Sequence, residues 1–411
     1  MKHKCKLILF IIIISFYGCN SIVDQSKNYL GKWDAKIFMP GGELPFIFKI
    51  ESINNKITAT IINNEEEVPI KEINFENDSL FLYLPAFNTK LKLKFDSNLK
   101  NLSGNLILLK SGGVDQIMKV VAIPHKGSII KTNIEINIGG KWSVNFIDDE
   151  KINTIAVGEF YQTNDKVTGT FLTTTGDYRY LNGFVNSDDV QLSTFDGAHV
   201  FLFKAKLSKD GKLKGDFWSG TKWHESWEAI RNENASLPDE DSLTFIKKGY
   251  TKLNFKFENI YGKEVSLNDE KYKNKVVLVN LAGSWCPNCH DEARFLSEYY
   301  DKNKNRGLEI IALMFENYKD KNKNIGQIKN FKDKFNIQYD LLYAGINDKD
   351  KASELLPMLN KVLAFPTTIY IDRKGNVRKI ATGFSGPGTG YHYIKFQEKF
   401  NNFLNKLLEE H

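Results

Sequence analysis

Cysteine is scarce in this chain: four residues in 411, too few for a scaffold stapled by disulfides. The chain also lacks any apolar run of the roughly 20 residues that cross a bilayer as a helix. Excess charge of either sign is small, with 56 Lys and Arg against 50 Asp and Glu. Three of the six surplus positive charges are Lys2, Lys4 and Lys6. The rest carries too weak a basic bias to make nucleic acid a partner. What is present is ordinary for folded protein: 42% hydrophobic, 26% charged and 13% aromatic. That excludes wholesale disorder, collagen-like repeats and a coiled coil. The length allows two or three domains, each with its own core.

The N-terminus reads as a secretory signal. Lysines at 2, 4 and 6 precede Leu7–Ile14, which holds no polar residue, and Ser15-Phe16-Tyr17-Gly18-Cys19 follows. Gly18-Cys19 resembles a bacterial lipoprotein signal, which implies a signal peptide over 1–18 and lipid attachment at Cys19. Polar residues from Asn20 to Asn28 then suit a tether, over 19–29, between anchor and fold. This places the protein in the bacterial cell envelope, facing the periplasm, with the inner or outer membrane undecided.

The first half contains a duplication. Gly31-Lys32-Trp33 recurs as Gly140-Lys141-Trp142, Lys56-Ile57-Thr58 as Lys166-Val167-Thr168, and Leu102-Ser103-Gly104 as Leu213-Lys214-Gly215. Three ordered matches at offsets near 110 define two β repeats, over 30–127 and 138–231. Alternation in Leu80–Leu84, Leu91–Phe95 and Val200–Leu207, with Asn/Asp/Gly turns between runs, predicts antiparallel strands. Each copy has room for roughly six to eight short strands in a small barrel or sandwich. The Gly-x-Trp start resembles lipocalin-like barrels. Most of the tryptophans (33, 142, 218, 223, 227) lie here, read as core filling rather than a ligand surface. Glu65-Glu66-Glu67 reads as a solvated turn, and 232–242, with Pro238 among acidic residues, as a linker.

Chemistry concentrates in 243–411. The apolar run Val276–Val279 reads as a buried strand. It leads into Trp285-Cys286-Pro287-Asn288-Cys289-His290 and then a helical pattern through Phe295, Leu296, Tyr299 and Tyr300. A strand followed by Cys-x-x-Cys opening a helix is a redox arrangement. Cys286 meets unpaired backbone N–H groups and the positive end of the helix dipole, and both favour its thiolate. Cys289, one turn on, closes the disulfide, and Pro287 suits the first helical position. Further elements follow: strands over Leu308–Phe315 and Asp340–Tyr343, a helix over Gln327–Phe335, a hairpin of Thr367–Ile371 with Val377–Phe384, and a closing helix over Tyr391–Leu408.

These residues carry a resemblance. Residues 245–411 look like the periplasmic thiol–disulfide oxidoreductases of the TlpA/ResA type, through Gly262–Leu267, Lys275–Asn280, Trp285–Cys289, Glu292 and Phe365-Pro366-Thr367-Thr368. The resemblance implies a multidomain protein, with the all-β antiparallel tandem repeat followed by an α/β thioredoxin fold. It also implies a cis bond before Pro366, catalytic roles for Cys286, Cys289, Glu292 and Pro366, and proton transfer at Glu292. Trp285, Pro287, Asn288 and His290 flank the site, with His290 placed to tune Cys286. Asn288 and Arg294 depart from prolines usual in the type.

The expected activity is reduction of protein disulfides through the Cys286–Cys289 pair, with electrons from a membrane-derived donor. No cofactor beyond the disulfide and no metal is expected. Cys286-x-x-Cys289-His290 is also the spacing of c-type haem attachment, but here it follows a buried strand. Zinc would need a second Cys pair. Two alternatives stay open: a peroxiredoxin-like peroxide reductase, and a binding lipoprotein whose β repeats carry the function. Val279 and Gly283 occupy positions where peroxiredoxins carry Pro and Thr or Ser.

Overall fold

The computed structural model describes residues 26–410 apart from 64, 65, 71, 85–88, 109–115, 128–135, 198, 240 and 241. The lipoprotein signal and Cys19 lie outside the described residues. No helix among the described residues is long and apolar enough to cross a membrane.

Each repeat forms one nine-stranded antiparallel sheet, more strands than the turn signals predict. In the first, β1 (Gly31–Met39) pairs with both β2 (Gly42–Ile53) and β9 (Gln116–Pro124), and every other neighbour is consecutive in the chain. Among the described residues the ring has a single seam, between β4 (Glu66–Ile70) and β5 (Glu72–Glu76). In the second, β10 (Gly140–Asp148) pairs with β11 (Asn153–Thr163) and β18 (Trp223–Arg231), and β11 pairs with β12 (Lys166–Thr173). That ring is closed, and two-residue β13 (Gly176–Asp177) folds back on the end of β12. Both copies are barrels, not sandwiches.

The duplication is visible in side-chain detail. The indole N–H of Trp33 donates to the Tyr29 carbonyl at 2.9 Å, and that of Trp142 to the Ile138 carbonyl at 2.9 Å. Both rings are buried. Gly104 and Gly215, matched in sequence, each lie against a neighbouring strand's carbonyl (Lys92, Lys204) so closely that a Cβ would overlap it. Aromatic rings fill the second barrel: Phe203 stacks on Phe217 at 4.3 Å, with Phe146, Phe171, Tyr178 and Trp227 around them. Trp223 alone of the five tryptophans here is exposed. Phe195, Val200 and Leu202 of the second barrel join the core of the first, with Phe46 and Phe195 centred 4.6 Å apart.

Two expected flexible segments are packed. Ser26 and Tyr29, assigned to the tether, are buried, and the Tyr29 ring meets Phe75 edge-on. Ala235, assigned to the linker, is buried against Val157 and Leu172. In each case one apolar side chain in a polar stretch finds a barrel surface to cover.

The remaining chain is a seven-stranded sheet in the order β20 (Glu264–Ser266), β19 (Lys256–Asn259), β23 (Asp340–Ile346), β22 (Leu308–Glu316), β21 (Val276–Ala282), β24 (Thr367–Ile371), β25 (Val377–Thr382). Strands β21, β22 and β23 run parallel and the outer ones antiparallel. Helices α1 (Pro287–Asn303), α2 (Lys321–Lys334), α3 (Lys349–Leu355) and α4 (Tyr391–Glu409) connect and cover it. This is the thioredoxin fold. Every residue of β21 is buried, as a central strand requires. Helix α2 begins at Lys321 rather than Gln327, because Asp320 caps it by accepting from the amides of Asn322 and Lys323. The β19–β20 hairpin carries too little apolar alternation for its sequence to mark it as strands.

Candidate active site

Strand β21 ends at Ala282, and the chain turns through Gly283-Ser284-Trp285 into α1. Cys286 is the N-cap of that helix, with Pro287 at its first position. The Cys286 Sγ accepts from the Cys289 amide at 3.3 Å and, as a thiol, donates to the Phe365 carbonyl at 3.3 Å. The Phe365–Pro366 peptide is cis. Both cysteines are free thiols, 5% and 2% exposed. Burial pushes the Cys289 thiol well above its ordinary range, and the hydrogen bond to Cys286 and the charges of Cys286 and Glu292 add to the rise. The pair therefore has unequal partners: a capped sulfur at the helix start and a covered one behind it.

Sheet register builds the carboxyl site beside them. Asn280 on β21 lies opposite Thr368 on β24, and their side chains hydrogen-bond at 2.9 Å. Glu292, on α1, accepts from Asn280 Nδ2 at 2.6 Å and from Thr368 Oγ1 at 2.7 Å. Burial raises its pKa to about 7, against the lowering effect of those two bonds. Glu292 also lines a cavity of about 460 Å³ between the second barrel and β24, β25 and α4.

His290 does not face the sulfurs. Its Nε2 meets the Ser284 carbonyl at 2.6 Å and its Nδ1 lies 3.3 Å from Lys334, while the ring packs between Phe331 and Phe335. Burial, and then the Lys334 charge, hold it well below its usual pKa. It is thus a neutral buttress of the loop before Cys286, and any tuning of the cysteine passes through Ser284. Trp285 donates to the Phe315 carbonyl at 2.7 Å and stands edge-on to Phe365.

Three residues that hold the segments around the site together were missed by sequence reasoning. Glu316, at the end of β22, accepts from the Ser284 amide at 2.8 Å and from its hydroxyl at 2.6 Å, so Ser284 is clasped from both sides. Burial lifts Glu316 to about 7 against those two bonds. Asp291 on α1 pairs with Arg179 of the second barrel. Arg179 also reaches Asp196 at 3.1 Å and Glu66 at 2.6 Å. Glu66 thus lies on a strand in a buried network rather than in a solvated turn. A carboxylate ending an apolar strand was the one sequence signal for Glu316; nothing local marked the other two.

The profile of the AhpC/TSA family matches residues 249–380. A putative Thiol:disulfide interchange protein DsbE from Chlorobium tepidum aligns with 38% of this chain and 98% of its own, at 21% identity and a TM-score of 0.29. Thiol-disulfide oxidoreductase ResA of Geobacillus kaustophilus is 31% identical over 140 residues, 34% of this chain and 72% of that protein. ResA of Bacillus subtilis is 30% identical over 138 residues, 34% of this chain and 69% of that protein. The similarity falls on the domain with the paired cysteines and spans more than two thirds of these two ResA proteins: the chain belongs to the ResA family of thiol–disulfide oxidoreductases.

Proposed function

We propose that this is a membrane-anchored, extracytoplasmic enzyme that reduces protein disulfides. The observation that carries the reading is the Cys286 Sγ held between the Cys289 amide and the Phe365 carbonyl. The thiolate of Cys286 attacks one sulfur of a substrate disulfide and the other sulfur leaves as a thiolate. Cys289 loses its proton and attacks Cys286 in the mixed disulfide, releasing the second substrate sulfur. The substrate gains two electrons and two protons, and the enzyme is left with the Cys286–Cys289 disulfide for a membrane-derived donor to reduce. Glu292, with a pKa near 7 beside Cys289, is the group that takes the Cys289 proton. The cavity it lines is the route by which we propose that proton exchanges with solvent. Pro366 and Phe365 shape the surface against which the substrate chain lies.

Direction is tested by the reduction potential of the pair in dithiol and glutathione buffers. A value near or below about −250 mV marks a reductant, and one near about −120 mV would overturn the direction in favour of an oxidant. Anchoring is tested by Cys19→Ala, which is expected to move the protein from the membrane to the soluble fraction. Continued sedimentation of the variant with membranes would reject lipid attachment at Cys19.

A further inference from the structure

Nothing in the chemistry above needs two barrels. Yet the second one reaches the redox site. The turn between β12 and β13 brings Gly176 against Asn288, one of the two residues between the cysteines, so closely that a Cβ on Gly176 would overlap its side-chain amide. The same turn lays the Thr175 carbonyl group and the Gly176 amide nitrogen against Gly383. Gly383 in turn donates its amide to the Pro366 carbonyl at 2.9 Å. The hairpin tip thus bridges from the Cys-x-x-Cys turn to the Pro366 loop. Those two segments border the Cys286 sulfur.

The foot of the hairpin is fastened. Asp177 accepts from the Gly386 amide at 2.8 Å and from the Arg179 amide at 2.8 Å. Arg179, 5% exposed, then divides its guanidinium among Asp196 of its own barrel, Glu66 of the first barrel and Asp291 of α1. Burial works against the charged arginine, but Asp196, Glu66 and Asp177 outweigh it. One cation therefore ties both barrels to the helix that carries the cysteines. Breaking one partner of a buried pair leaves an uncompensated charge, so the fastening is strong only while complete.

We infer that the second barrel is a wall of the active site that selects substrates by shape. Resting on Cys286 as the nucleophile, the inference concerns which disulfides reach it. Small disulfides and extended, unfolded segments pass beside the hairpin tip. Folded proteins with disulfides on a rigid surface are held off by it. The occupant of the site is then a disulfide in an unfolded polypeptide.

The test compares turnover of bis(2-hydroxyethyl) disulfide and of native insulin by the full chain. Arg179→Met frees the hairpin from the barrel side. Asp291→Asn frees it from the helix side, without touching a barrel interior, should the first variant fold poorly. Both are expected to raise insulin turnover by about tenfold, equivalent to about 1.4 kcal/mol in the population with the hairpin displaced. Turnover of the small disulfide is expected to stay as in the wild type. Insulin turnover that is unchanged, or that moves in proportion to the small disulfide, would overturn the wall. No reduction of the small disulfide by the wild type would instead remove the assignment of Cys286 itself.

Discussion

Cys286→Ser is expected to lower disulfide reduction to below about a thousandth of the wild-type rate, because a hydroxyl at the helix N-cap supplies no competent nucleophile. Cys289→Ser loses turnover as well but for another reason. Its Cys286 still attacks, and the mixed disulfide has no buried thiol to resolve it, so the variant accumulates covalently bound substrate. The geometry separates the two roles: Cys286 is hydrogen-bonded at the start of α1, whereas burial keeps Cys289 protonated until its proton is removed. Turnover of bis(2-hydroxyethyl) disulfide, and non-reducing electrophoresis after exposure to an unfolded disulfide-bonded protein, read the two outcomes. Activity surviving in Cys286→Ser, or adducts forming on it and not on Cys289→Ser, would reverse the assignment.

The second large effect belongs to Glu292. Its folded-state pKa is about 7, above the ordinary 4.5, so the folded protein holds this proton more tightly than the unfolded chain does. The stability that proton binding contributes is complete below about pH 4.5 and is lost as pH rises through 7. Each tenfold gain in proton affinity is worth about 1.4 kcal/mol, so the loss amounts to about 3 kcal/mol. Glu292→Gln has no proton to lose. Its stability relative to the wild type is therefore expected to rise by about that amount between pH 4.5 and 7.5. Denaturant unfolding of both proteins across that range measures the difference. Glu316 titrates alike in each and cancels. A difference that stays flat with pH would show that Glu292 is not the buried, titrating carboxyl described.

Much of this was legible in the sequence, for local reasons. The duplication showed because Gly-Lys-Trp and the turn-flanked Lys-x-Thr begin equivalent strands, and a buried tryptophan tied to the carbonyl four residues upstream tolerates little change. The redox helix showed because strand, Cys-x-x-Cys and helix are contiguous. What stayed hidden depends on distance. Arg179 lies 113 residues from Glu66 and 112 from Asp291, so its pattern exists only once three domains are assembled. Glu316 reads as the end of an apolar strand until the Ser284 loop folds over it. His290 misled for the opposite reason. Its place at the helix start suggested that it tunes Cys286 directly, but the helix turns its ring towards Ser284 and Phe335. Tyr29 was lost in polar company, where one aromatic ring carries no period to read.

The unzipped seam in the first barrel has a consequence of its own. A closed ring presents no free backbone edge, whereas an opened one exposes a row of amides and carbonyls that invites another strand. Strand β4, on one side of the seam, carries Glu66, Glu67 and Pro69. Charge and a residue without an amide are gatekeepers against that pairing. The same opening lets Glu66 reach out to Arg179, a reach that a neighbouring strand in the gap would obstruct. The open edge of the first barrel and the helix that carries the cysteines thus meet at one cation, because Glu66 and Asp291 both pair with Arg179.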